Sequence, residues 1–325
     1  MIQINPSNIR VWSLLGQRSA LGQVLLELAR ENEKVIVLTS DLEKTSGLDH
    51  FAKIFRERLI NTGIAEQNML GIAAAFATED FIPFAISFAN FSVLRACEPM
   101  RHFMGYMHRN VKLVGLSSGF ANGLFGNTHY CMEDIAIVSA VPGIVIVSPA
   151  DCTELAKAVE AVSTFSGPVY LRLTGIMNNP VVYRQNFDFE LGKGIVLAKG
   201  TDITVLASGS MVYNSLQASE ILEKQGISAT VIDIHTIKPL DTITIDQEIN
   251  SARLVVSVEE HAKTGGLGGA VAGHLCSLRH HPPLLRLGIE DKFQPAGDYH
   301  YMLEQNGLLP LQIAYAISQQ FSSLT

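Results

Sequence analysis

Short apolar runs recur along the chain between segments whose apolar positions repeat every three or four residues. In the first half, the runs at 34–38, 111–116, 144–147 and 169–172 show no polar face, as expected of strands buried on both sides of a parallel sheet. Helical patterns at 20–30 and 153–163 fall between such runs, as βα repeats require. A further helix is predicted from about Ile64 through Met69, Ile72, Ala73 and Phe76. The pattern lapses at Gly175-Ile-Met-Asn-Asn-Pro180, and the chain stays polar and irregular to Gly194. Alternation then resumes, with strands predicted at 203–207, 229–233, 253–258 and 284–288 and helices at 213–225 and 270–278. The expectation is an α/β protein of two doubly wound domains, residues 1–180 and 194–325, joined by a linker over 181–193.

Composition agrees with that picture and narrows the partners. The 325 residues are 47% hydrophobic and 17% charged, a balance suited to compact domains. With 31 acidic against 24 basic residues and no Lys/Arg cluster, the chain has no electrostatic footprint for nucleic acid or an anionic membrane. The start lacks the basic and apolar regions of a signal peptide, and no apolar run approaches membrane-spanning length. Four dispersed cysteines form no Cys-x-x-Cys pair, so they read as reduced thiols in a cytoplasmic protein. Small molecules and proteins remain as partners.

The position of Glu66 opens the chemistry. It lies between a glycine turn and the apolar run 70–76, in the first turn of the predicted helix. On spacing alone it serves equally as a charge matched to the helix dipole. Its context is more specific: Arg58-Leu-Ile-Asn-Thr-Gly-Ile-Ala-Glu-Gln-Asn-Met69 resembles the R-x-x-N-x-G-I-x-E-Q-N-M segment of thiamine-diphosphate enzymes of the transketolase family. Further motifs agree in order and spacing from Arg18 to the C-terminus. The resemblance implies a pyrimidine-binding domain followed by a transketolase C-terminal domain, most closely as in the stand-alone C-terminal halves of split transketolases. It also implies that Glu66 hydrogen-bonds a nitrogen of the cofactor's aminopyrimidine. For that role the carboxyl must share a proton at neutral pH, which a mostly apolar pocket would favour.

The same resemblance assigns the other candidates. In Phe84-Ala-Ile-Ser-Phe-Ala-Asn-Phe-Ser-Val-Leu-Arg95, Phe91 matches the ring-stacking aromatic and Phe88 its neighbour, and their spacing allows one helical face. Leu94 stands where larger transketolases often carry another aromatic, and Ile64 falls beside the ring. Asp41 matches a residue near the thiazolium, and Thr45 or Ser46 the hydroxyl that contacts substrate phosphate. Arg18 and Arg172 resemble two arginines that bind sugar phosphate, a sound pairing for a dianion. His129 matches an active-site histidine able to shuttle protons. Four residues before it, Phe125 replaces the family's Asp, which recognises a substrate hydroxyl; this puts ordinary ketose phosphates in doubt. The turn Glu259-Glu-His-Ala-Lys-Thr-Gly-Gly-Leu-Gly-Gly-Ala270 looks locally like a phosphate cradle, but its counterpart in the family is architectural.

No Gly-Asp-Gly motif for a diphosphate-bound metal is present. The resemblance therefore implies a second subunit that binds the diphosphate and Mg2+ of thiamine diphosphate, in an α2β2 assembly. The expected activity is transfer of a two-carbon ketol unit between a ketose and an aldehyde, both anionic. Decarboxylative acyl transfer from a 2-keto acid and a non-catalytic assembly role are the alternatives.

Overall fold

The computed structural model describes residues 2–324; Met1 and Thr325, the outermost residues of the two expected domains, lie outside them. The strands are β1 (Val35–Thr39), β2 (Leu59–Asn61), β3 (Ile82–Phe88), β4 (Lys112–Leu116), β5 (Val145–Val147), β6 (Val169–Arg172), β7 (Ile195–Ala198), β8 (Ile203–Ala207), β9 (Ala229–Asp233), β10 (Thr236–Lys238), β11 (Leu254–Ala262) and β12 (Leu284–Ile289). They form a seven-stranded sheet in the order β10-β5-β6-β4-β3-β1-β2 and a five-stranded sheet in the order β12-β11-β8-β9-β7. Pairing is parallel except at two edges, where β10 runs antiparallel to β5 and β7 antiparallel to β9.

Every residue of β1, β4 and β6 is buried, because helices cover both faces of the first sheet. On one face, Leu21, Val24 and Leu25 of helix Pro6–Glu31 pack with Leu155, Val159 and Val162 of helix Cys152–Thr164. On the other lie Met69, Leu70 and Ala73 of helix Glu66–Thr78, with Met100 and Met104. Each such side chain contributes about 1.5–3 kcal/mol by leaving water. Helix Pro6–Glu31 is kinked at Gly16, whose φ of 74° suits glycine and where a Cβ would lie 2.6 Å from the Ile176 carbonyl oxygen. The second sheet is sandwiched in the same way, by helices Met211–Glu223 and Pro310–Ser322 on one face and Leu267–Leu275 on the other. Among the described residues, no helix is long and apolar enough to cross a membrane.

Two features differ from expectation. The aromatic segment is not one helix: Phe88 ends β3, and a π-helical turn, Phe91–Arg95, begins after it. Strands β2, β7 and β10 are three- or four-residue elements, too short to leave a periodic trace. Between β6 and β7 the chain forms no helix or strand.

Candidate active site

Because β1, β2, β3, β4 and β6 are mutually parallel, the loops that follow them emerge at one edge, where open α/β sheets bind ligands. Ser40 and Asp41 follow β1, Glu66 follows β2, Phe88 ends β3, and the loop carrying Phe125 and His129 follows β4. Sequence-distant candidates thus meet.

Glu66 sits at the start of helix Glu66–Thr78 and is only 1% exposed. Its Oε1 accepts from Ser87 Oγ at 3.3 Å, and Ser87 Oγ in turn accepts from Ser40 Oγ at 2.6 Å. Its Oε2 accepts from Arg95 Nη1 at 2.7 Å. The expected mostly apolar surroundings are therefore corrected: this carboxylate is ion-paired and anchored by a buried hydroxyl. Pairing is what makes a buried charge tolerable. The same Arg95 guanidinium lies over the Phe91 ring, 4.3 Å from its centroid, a cation–π contact.

Three rings cluster beside this pair. Phe88 and Phe91 have centroids 6.1 Å apart, and His129 lies 6.4 Å from the first and 5.7 Å from the second, all edge-to-face. Phe125 leans on His129 at 5.2 Å but is 68% exposed. Thr128 Oγ1 pairs with His129 Nδ1 at 2.9 Å, which leaves Nε2 without a partner among the described residues. Asn90, between the two phenylalanines, donates from Nδ2 to the Thr128 carbonyl at 2.6 Å and so ties the loop to the aromatic segment.

Of the remaining candidates, Asp41, Ile64 and Leu94 lie at the exposed rim. Asp41 has a φ of 62° and is held by Asn61, which donates to its Oδ1 at 3.3 Å and accepts from its backbone N–H at 3.1 Å. Thr45 is half-buried. Ser46 is buried and donates its hydroxyl to the Leu42 carbonyl at 2.7 Å, so of the two Thr45 is the one available to a ligand. Arg18 lines a neighbouring cavity. Arg172 is not brought to the site. It is 1% exposed, donates from Nε to Asp134 Oδ2 at 2.8 Å, and donates from Nη2 to the Glu260 carbonyl at 2.9 Å across to the second sheet. Burial works against this guanidinium's charge, and the adjoining Asp134 outweighs it, so the group is held above its ordinary range. A buried arginine ion-paired to Asp134 is not free to turn to a substrate.

Residues 15–177 match the pyrimidine-binding domain of transketolases, and residues 192–313 match the transketolase C-terminal domain. The chain belongs to the transketolase family. A protein of Methanocaldococcus jannaschii described as a transketolase C-terminal section is 39% identical over 94% of this chain and 96% of its own length. The 6-deoxy-6-sulfo-D-fructose transketolase subunit of a Clostridium strain is 36% identical over 92% of both chains. A solved split-gene transketolase, described as an inactive β4 tetramer, superimposes with a TM-score of 0.86 at 36% identity, covering 95% of this chain and 98% of that one.

In this transketolase-family chain the glycine-rich turn is filled from within. Glu259 accepts at 2.6 Å from the Leu267 N–H and at 2.8 Å from the Gly268 N–H, so its own carboxylate occupies the amides that a phosphate would use. Burial still pushes Glu259 up to about 7 against those two donors. Ser40, Ser87, Asn90 and Arg95 are the site residues that sequence reasoning missed. Arg95 carried a signal, as a charge interrupting an apolar run; the two serines carried none.

Proposed function

We propose that this transketolase-family chain is the pyrimidine-binding subunit of a two-chain enzyme that moves a two-carbon ketol unit from a ketose to an aldehyde, with thiamine diphosphate shared between subunits. The observation that carries the reading is the Ser40–Ser87–Glu66–Arg95 chain beneath the Phe88, Phe91 and His129 rings. The residues present fit the cofactor's pyrimidine. Each Glu66 oxygen takes one protein donor, whereas a carboxylate offers roughly four lone-pair sites, so acceptor capacity remains for a ring N–H. Phe88 and Phe91 offer aromatic faces for a flat heterocycle.

When bound, thiamine diphosphate supplies a carbon nucleophile for the ketone and an electron sink for the fragment in transit. Glu66 would share a proton with the ring nitrogen, with Arg95 and Ser87 fixing the carboxyl's rotamer, so little reorganisation would be left to the reaction. His129, with Nε2 unpaired, is placed to give or take a proton at a substrate oxygen, while Asp41 and Thr45 border the substrate from the β1 loop. The diphosphate and its Mg2+ fall to the partner subunit in an α2β2 assembly. This division is supported by the full-length match to a split-gene enzyme whose β4 form is described as inactive.

The test is reconstitution of the chain with its diphosphate-binding partner, thiamine diphosphate and Mg2+, followed by ketose consumption. Glu66→Gln should retain the wild-type circular dichroism and melting temperature yet lose at least about a hundredfold in kcat, the scale of a lost proton-handling group. Near-normal turnover by that variant, or ketose consumption by the isolated chain, would overturn the proposal.

A further inference from the structure

The loop that follows β4 carries Phe125 and His129 to the aromatic cluster, yet the second half of the chain holds it at several points. Its neck is closed by Gly119 and Cys131, each of which donates its N–H to the other's carbonyl, at 2.7 and 3.1 Å. From the end of β11, Glu260 Oε1 accepts from the Phe120 N–H at 2.6 Å, and the Ala262 N–H donates to the Met132 carbonyl at 2.9 Å. The stretch between β12 and helix Tyr299–Gln305 grips the rest. There the Gly297 N–H donates to the Gly123 carbonyl at 3.2 Å. Tyr130 Oη accepts from the Gln294 N–H at 3.0 Å and donates to the Gln294 carbonyl at 2.8 Å. Asn127 donates from Nδ2 to the same carbonyl at 3.1 Å and lays its Oδ1 against the Tyr130 hydroxyl. The Tyr130 ring is buried in the core of the second half, edge-to-face with Phe120 at 5.5 Å.

His129 and Tyr130 share one peptide unit, and both of their N–H groups converge on the Gly126 carbonyl, at 3.0 and 3.2 Å. Their side chains part: His129 lies against Phe88 and Phe91 of the first half, whereas Tyr130 is locked into the second. Between neck and clamp, Leu124, Phe125, Asn127 and Thr128 are exposed, so little packing fixes the loop from outside. A hydroxyl donates and accepts at once, and the two Gln294 backbone groups use both capacities. Misplacing a reacting group by about 1 Å can cost a hundredfold in rate. Resting on the ketol-transfer reading, we infer that Tyr130 is a positioning residue, whose hydroxyl, clamped by the Gln294 backbone, fixes His129 against the two phenyl rings. The second half of the chain thereby sets the geometry of proton transfer at a centre that the first half provides.

Two variants separate positioning from packing: Tyr130→Phe, which keeps the buried ring and removes only the hydroxyl, and Asn127→Ala, at an exposed position. In the full-length chain labelled with ε1-13C histidine, the His129 signal is assigned by its absence from His129→Gln. It should stand apart from exposed histidines, because three phenyl rings lie within 6.4 Å of it. In Tyr130→Phe the signal should move toward the exposed positions or broaden, and in Asn127→Ala it should move less in the same direction. Ile313→Val, which thins the same core in helix Pro310–Ser322, should lower the melting temperature by a few degrees with His129 unmoved. With the reconstituted pair, Tyr130→Phe should lower kcat about tenfold or more at a KM within about twofold of wild type. An unmoved His129 signal in Tyr130→Phe overturns the inference, as does a shift that Ile313→Val reproduces at an equal loss of melting temperature. If the wild-type pair consumes no ketose while the signal moves as expected, the transferase reading falls and the clamp stands. Wild-type kcat in Tyr130→Phe sinks the clamp alone.

Discussion

Glu154→Gln should flatten the pH dependence of stability. Glu154, on helix Cys152–Thr164, and Asp233, at the end of β9, are fully buried and belong to opposite halves of the chain. Glu154 Oε2 accepts from the Ala150 N–H at 2.6 Å, and Asp233 Oδ2 accepts from Tyr183 Oη at 2.7 Å. The remaining oxygens, Glu154 Oε1 and Asp233 Oδ1, find no partner among the described residues, and the two carboxyls act on each other's protonation, so one proton shared between them would satisfy both. Asp151 adds like charge nearby while holding the Val182 and Tyr183 N–H groups at 2.7 and 2.9 Å. Burial pushes Asp233 up to about 7 from its ordinary 3.8 and pushes Glu154 up as well. The displacement at Asp233 corresponds to stability on the order of 4 kcal/mol. Because the folded-state values are raised, that contribution is complete below the ordinary carboxylate range and is lost as pH rises through about 7. Glutamine keeps the acceptor toward Ala150 and offers Asp233 a permanent donor. Urea unfolding between about pH 5 and 8.5 should show the variant gaining roughly 2–4 kcal/mol over wild type at the alkaline end and differing little at the acid end. Glu154→Ala, which opens a cavity and leaves Asp233 Oδ1 without the shared proton, should lose about 2–4 kcal/mol at the acid end. Parallel wild-type and Glu154→Gln curves would refute the shared proton.

Two other substitutions probe residues whose roles the fold redefines. Arg172→Met leaves Asp134 buried beside His261 without its counter-charge and should cost about 3–5 kcal/mol in urea unfolding, with KM for substrate unchanged; a raised KM at wild-type stability would return Arg172 to the substrate. Gly266→Ala drives a Cβ into the Glu259 carboxylate and should lower stability by about 2–3 kcal/mol through its two lost amide bonds. An unchanged melting temperature would show that the turn does not depend on Glu259.

What could be read from the chain alone follows the physics of each element. Strands β1, β4, β8 and β9 are buried on both faces, so their apolar runs are unbroken and visible. Strand β10, Thr-Ile-Lys, owes its place to β5 alone, and nothing local marks it. Glu66, Phe88, Phe91 and His129 were singled out through the resemblance of their motifs to the family's, and the fold places Phe88, Phe91 and His129 in mutual contact with Arg95 joining Phe91 to Glu66. Their supports were not, since the Ser40–Ser87 bond spans 47 residues and the Arg95–Glu66 bond 29. Arg172 was misread because an arginine ending a strand at the ligand edge looks like an anion site until the second half of the chain is packed over it.

Strand β10 has a further consequence. It crosses from the second half to lie antiparallel along β5, the outer strand of the first sheet's parallel set. A polypeptide ending in the irregular stretch before β7 would leave β5 with a bare row of amides and carbonyls, open to pairing with another molecule. The halves are therefore poor candidates for separate expression: a fragment that retains Glu66 and its aromatic walls should tend toward intermolecular strand pairing unless residues 236–238 are supplied with it.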